Sequence, residues 1–161
     1  MNKKVIQNLI PKAMQAIEYV EVQLKKKESS KPELTKIVDP QTHKFEKVHE
    51  GYINALGPTI IQSGLLPTLI FYNKDKRTLW LRALYYMAVG GKENMTNNSP
   101  AAIIELVIDK KGGSIEELEG KAKKWERKIL EYAVALKLAL RTFVAKEPET
   151  SNTEQQKGGA Q

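Results

Sequence analysis

Few residues in this 161-residue chain have types and spacings that bear on chemistry. Lys137 and Arg141 stand one helical turn apart within residues 132–145, where eleven of fourteen residues are apolar, and Lys146 follows just beyond. A basic stripe on an otherwise buried helix has to surface there, either as snorkelling structural residues or as a strip that faces an anion. A second group gathers around Trp80: Lys74, Lys76, Arg77 and Arg82, with Tyr85 and Tyr86 three and four residues after Arg82. Basic residues interleaved with aromatics are what a groove for single-stranded RNA uses. The plain alternative is two core-edge tyrosines beside solvated arginines.

Other arrangements point away from catalysis. Glu46 and His49 form a Glu-x-x-His pair, which di-iron bundles use twice, but Pro40 stands where a second glutamate would precede His43. The pair therefore reads as a solvated helix flank. The two histidines, His43 and His49, fall on different helix faces and do not make a metal site. With no cysteine in the chain, thiolate zinc sites, iron–sulfur clusters, Cys nucleophiles and disulfides are excluded. Gly90-Gly91 and Gly112-Gly113 follow no strand and make no phosphate-cradling loop. No Ser-His-Asp arrangement is present, and no enzyme activity, metal or cofactor is expected.

The charge balance favours an anionic partner. Twenty-six Lys and Arg face 19 Asp and Glu, a formal net charge of +7. Twenty-two of the cations are lysines, flexible point charges and not bidentate forks. The last fifteen residues carry −2, which leaves +9 on the body. Such a surplus suits nucleic acid. No apolar run reaches the ~18–20 residues of a membrane span, and the Lys3-Lys4 start lacks a signal peptide's apolar stretch. The expectation is a soluble, cytoplasmic protein with no membrane contact.

The elements that would position these residues are helices nearly throughout. Ile6, Leu9, Ala13, Ile17, Val20 and Leu24 recur at helical spacing, with either Asn8 as N-cap and Pro11 in the first turn, or an earlier start and a kink. Lys25-Lys26-Lys27 would close this helix. Residues 28–42 read as a loop. A second helix is predicted over 43–63, with Phe45, Val48, Tyr52, Leu56 and Ile60 inward, a bend at Gly57-Pro58 and Gly64 as a left-handed cap. Residues 65–72 read as a short buried helix, since no other strand candidate exists to pair with them. Asn73 to Lys76 form a turn and residues 78–89 a further helix. Ser99-Pro100 starts a helix to about Asp109. Ser114 to Glu117 is a capping box opening the longest helix, to about Lys146. Its seam is Ile115, Leu118, Ala122, Trp125, Ile129, Tyr132, Leu136, Ala139 and Phe143. The prediction is an all-α, single-domain helical bundle of five to six helices over 1–146, with a disordered tail over 147–161.

Residues 52–72 carry a pattern of their own. A tyrosine, Tyr52, opens it; a short helix ends in a polar residue plus Gly-Leu, here Ser63 and Gly64-Leu65; then Thr68-Leu69-Ile70-Phe71 supplies a Thr-Leu-x-Phe that heads the next helix. This segment resembles the signature of the small helical subunit of the type III-B, or RAMP-module, CRISPR effector complex. Ala16-Ile17-Glu18-Tyr19-Val20 is compatible with that family's first helix. Residues 138–145 resemble its last helix, usually an aromatic-Leu-x-Arg-Phe-Ala run, with an aliphatic residue in place of the aromatic. The resemblance reaches to about Lys146, and its specific part is 52–72.

What the resemblance implies is a non-catalytic, all-helical subunit, present in a few copies, of an RNA-guided antiviral ribonucleoprotein. Its partners would be guide RNA and target RNA, the backbone and large subunits of the complex, and self-stacking copies of the same chain. A basic surface would hold RNA through phosphates, and cutting would belong to other subunits. The rival reading is a helical protein–protein adaptor without nucleic-acid contact. A DNA-binding regulator is a poorer fit, because no tight helix-turn-helix with a polar recognition helix is visible.

Overall fold

The computed structural model describes residues 2–25, 31–108 and 114–147, with the side chains of Ile115 and Leu118 outside that description. The expectations for Lys26-Lys27, Ser29-Ser30, Asp109 to Gly113 and the tail from Pro148 onward lie outside the described residues. Six α-helices and two short β-pairs make up the rest: α1 (Lys3–Tyr19), β1 (Glu21–Leu24), β2 (Glu33–Lys36), β3 (Lys44–Phe45), α2 (Val48–Ser63), α3 (Leu65–Tyr72), α4 (Thr78–Val89), α5 (Ala102–Ile108), α6 (Ile115–Leu140) and β4 (Val144–Ala145). The fold is a helical domain, as the periodicity predicts.

The first helix starts earlier than Asn8. Asn2 is its N-cap, the side-chain Oδ1 accepting from the backbone N–H of Lys4 at 3.0 Å and of Val5 at 3.4 Å, and Pro11 sits inside the helix. It also ends earlier, at Tyr19. Val20-Glu21-Val22-Gln23-Leu24 satisfies two periods at once, and the chain takes the strand period of two. Val20 and Val22 are buried, and β1 pairs antiparallel with β2, Glu21 opposite Lys36 and Leu24 opposite Glu33. The stretch expected as loop thus holds a strand, and Lys25 follows β1 instead of closing a helix.

The second helix begins at Val48, not His43. Asp39 Oδ1 accepts from the N–H of Gln41 at 2.8 Å and of Thr42 at 3.4 Å, holding a turn that runs through His43 in a positive-φ conformation. Phe45 is buried as expected, but from β3, which pairs parallel with β4. Val48, expected inward, is 42% exposed.

The central element is α4. Nine of its residues are buried, Trp80 and Leu84 completely. Helix α6 packs along α1 and α2 and also touches α4 and α5. Its inward residues are Ile129, Ala133, Ala135, Leu136, Ala139 and Leu140. Ser114 Oγ caps the helix by accepting from the N–H of Glu117 at 3.3 Å. The predicted seam fails toward that end: Ala122 is exposed and Trp125 only half-buried, with the Lys128 ammonium 5.3 Å from its ring centre. The helix stops at Leu140, six residues before Lys146, because Thr142 turns its hydroxyl back to the Ala139 carbonyl at 2.7 Å and the chain then enters β4.

Helix α3 buries one face only, through Leu65, Thr68, Leu69 and Tyr72, whereas Ile70 and Phe71 are 58% and 60% exposed. It meets α2 at Gly64, whose φ of 94° is positive as a cap glycine requires. Its ψ of 158° places it outside the left-handed helical region, in conformational space that is essentially glycine's alone. A Cβ there would stand 3.6 Å from Pro67 Cδ, an ordinary contact, so the cost of substitution is backbone strain and not collision. Gly64→Val should lower stability by about 1–3 kcal/mol, read as a lower denaturant midpoint with an unchanged slope. An unchanged midpoint would contradict the assignment.

Candidate nucleic-acid interface

The C-terminal end of α6 lies across α2, and β3 pairs with β4 beside them. These elements enclose a groove of about 220 Å³ lined by Phe45, Glu50, Ile53, Asn54, Lys137, Leu140 and Arg141. Lys137 is half-buried and Arg141, the residue that ends α6, is exposed. A cation there is favourable, since the last carbonyls of a helix carry its negative end. Among the described residues neither side chain makes an ion pair. The floor is apolar, from Ile53 and Leu140, and on the α2 side Asn54 supplies an amide and Glu50 a carboxylate, so the two cations outnumber one anion in the lining. Two unpaired cations over an apolar floor suit an anion with a flat, partly apolar body.

Lys146 does not continue the helical stripe. It follows β4, and its backbone N–H donates to the Phe45 carbonyl at 2.8 Å. Its charge also helps to lower the Asp39 and Glu46 carboxyls, behind the backbone hydrogen bond from Gln41 and the Lys76 ammonium respectively.

The second predicted group is dispersed. Lys76 donates to both carboxylate oxygens of Glu46, at 2.8 and 3.0 Å. The Arg77 guanidinium lies 4.4 Å from the ring centre of Phe71. Arg82 points inward, its Nη1 donating to the Asn97 carbonyl at 2.9 Å and to the Ser99 carbonyl at 3.0 Å. Tyr85 and Tyr86 are 6% and 5% exposed, so no base could stack on them. Lys74 is exposed. These residues form no common strip, and of the two readings the core-edge tyrosines fit.

Glu46 and His49 are not a solvated flank. Glu46 precedes α2, and His49 is 1% exposed, its Nδ1 accepting from the Trp80 indole N–H at 3.1 Å. Burial outweighs the attraction of Glu46 and lowers the imidazole to about 4, so it is neutral at pH 7. Among the described residues, no three His, Cys, Asp or Glu side chains gather as metal ligands would.

The signature residues form one structural unit. The Tyr72 hydroxyl donates to the Tyr52 carbonyl at 2.7 Å, tying α3 to α2, and the Thr68 hydroxyl donates to the Gly64 carbonyl at 2.7 Å. Leu65 and Leu69 are buried beside them, and Phe71 faces outward under Arg77. No protein-family model, curated protein or solved structure matches the chain. Among the described residues, no helix is long and apolar enough to cross a membrane.

Sequence reasoning did not place Glu50, Ile53 and Asn54 beside Lys137 and Arg141. Only the packing of α2 against α6, 80 or more residues away in the chain, brings them together.

Proposed function

We propose that this chain is a non-catalytic small subunit of a type III-B CRISPR ribonucleoprotein, and that the end of α6 holds guide–target RNA through its phosphates. The observation that carries the reading is a coincidence of two independent features. The family-like segment 52–72, which spans α2 from Tyr52 and all of α3, itself supplies Ile53 and Asn54 to the groove where, among the described residues, Lys137 and Arg141 stand unpaired. The body's net positive charge supports an anionic partner. The neighbouring subunits of such a complex need protein surfaces as well. Ile61, Ile70 and Phe71, at 72%, 58% and 60% exposure, supply apolar area on α2 and α3. The same exposure favours the second reading, an adaptor that docks proteins without touching RNA.

The test is to purify the tagged full-length chain from its native cells and to score both bound small RNA and co-purifying proteins. Guide-length RNA together with several stoichiometric proteins is the expected result. Proteins without RNA would establish the adaptor, and recovery of the chain alone would remove both readings.

A further inference from the structure

A second cleft, of about 450 Å³, lies between β1 and the segment after α4. That volume is within the ~300–1,000 Å³ usual for ligand sites. Its walls include Tyr19, Val22 and Leu34 on one side and Met95 and Pro100 on the other, with Arg82 also lining it. Four successive residues, Val20 to Gln23, line the cleft. With Leu34, which stands opposite Gln23 on β2, they give the cleft a wall drawn from both faces of β1, so the β1 backbone contributes to it as well as the side chains. Among the described residues β1 pairs with β2 alone, so its other edge has no strand partner. An unpaired edge offers N–H and C=O groups to any extended chain laid beside it.

Arg82 gives this edge a charge to read. One guanidinium nitrogen is used up by the Asn97 and Ser99 carbonyls, which fix the plane of the group. Nε and Nη2 have no acceptor, and no carboxylate pairs with Arg82, among the described residues. Among the described residues no buried side-chain polar atom lacks a partner, so these free donors reach solvent, and the cleft is the opening that Arg82 lines. A half-buried, immobilised guanidinium without a counter-ion is unusual, since buried charges are ordinarily paired. Its two free nitrogens match the two oxygens of a carboxylate.

We propose that this cleft binds an extended peptide segment of a partner protein, added as a strand along β1, with an Asp or Glu side chain of that segment held by Arg82. Charge complementarity favours peptide over RNA. Among the described residues Arg82 is the only cation in the lining, and Glu21 in the same wall lies 3.9 Å from the Lys36 ammonium, so the cleft suits one negative charge and not a run of phosphates. The apolar walls would take the alternate side chains of the added strand. This proposal stands on features separate from the groove at Lys137 and Arg141.

The test uses the full-length protein and a pool of acetylated, amidated hexapeptides of random Val, Thr and Leu with one fixed aspartate. A matched pool carries asparagine instead. Saturable shifts of the amide resonances of Glu21 to Leu24 with the aspartate pool, at least fivefold weaker with the asparagine pool, are expected. Leu34→Asp places a repelling charge at the mouth, on a residue 58% exposed, and should weaken the aspartate pool at least fivefold without changing the melting temperature. Equal binding of both pools, shifts confined to other residues, or no shift at millimolar peptide would overturn the proposal. Displacement of the aspartate pool from these amides by a single-stranded decamer of uridine would also overturn it, and would assign the cleft to RNA.

Discussion

Trp80→Ala is expected to lower the unfolding free energy by about 3–5 kcal/mol, a large share of what a single substitution can remove. The indole is fully buried in the central helix, so its removal leaves a cavity that the surrounding helices cannot fill. It also leaves His49 Nδ1, itself buried, without its donor. A domain of this size is stable by about 5–15 kcal/mol, so the substitution should remove between about a fifth and nearly all of that. Trp80→Phe keeps most of the volume and loses the hydrogen bond, and should fall between the variant and the parent. Denaturant titration measures both. A midpoint for Trp80→Ala within error of the parent would show that α4 is not the centre of the core.

Acid should destabilise the protein in a window set by His49. The imidazole titrates at about 4 in the folded chain, against 6.5 ordinarily. Between these values the unfolded chain binds a proton that the native state refuses. Stability is therefore complete above pH 6.5 and is lost as pH falls toward 4, by about 1.4 kcal/mol per unit and about 3 kcal/mol in all. The physical reason is that a protonated Nδ1 would face the Trp80 N–H, donor against donor, in a place closed to water. Glu46 and Asp39 act lower. Their carboxyls titrate below the ordinary 4.5 and 3.8, so what they contribute is lost only beneath those values. Unfolding titrations at pH 7.5, 6.5, 5.5 and 4.5 sample the His49 window while staying above that of the two carboxyls. In His49→Gln, which can still accept from the indole, the slope between 6.5 and 4.5 should vanish. A slope equal to the parent's would show that another group carries it.

Much of the helix layout was legible because it rests on local physics. Thr78–Val89 and the Ser114 cap follow from apolar spacing and one hydroxyl, and both stand in the structure. The misses have a common cause, which is that the deciding partner is distant in sequence. Val20 to Leu24 fits helix and strand equally, and only pairing with Glu33–Lys36 settles it. Residues 144–145 continue an apolar run that looks helical until β3 pairs with them from 100 residues upstream. His49 reads as a surface histidine because its burial depends on Trp80, and nothing near it in the chain signals that partner. For the basic residues, type and spacing cannot tell a paired cation from a free one: Lys76 meets Glu46 and Arg82 meets two carbonyls, whereas Lys137 and Arg141 stay unpaired among the described residues.

The RNA-facing role of that last pair is the central claim, and the salt dependence of target capture tests it most directly. In the reassembled complex, Lys137→Gln and Arg141→Gln together should leave assembly intact and lower the melting temperature only slightly, by the two cations lost from the helix end, while weakening capture of target RNA. Each phosphate that is no longer neutralised by a cation lowers the slope of log affinity against log salt by about 0.7–0.9, so the pair should lower it by about 1.4–1.8, similarly for unrelated target sequences. Intact assembly with the parent's affinity and the parent's salt slope would contradict the account.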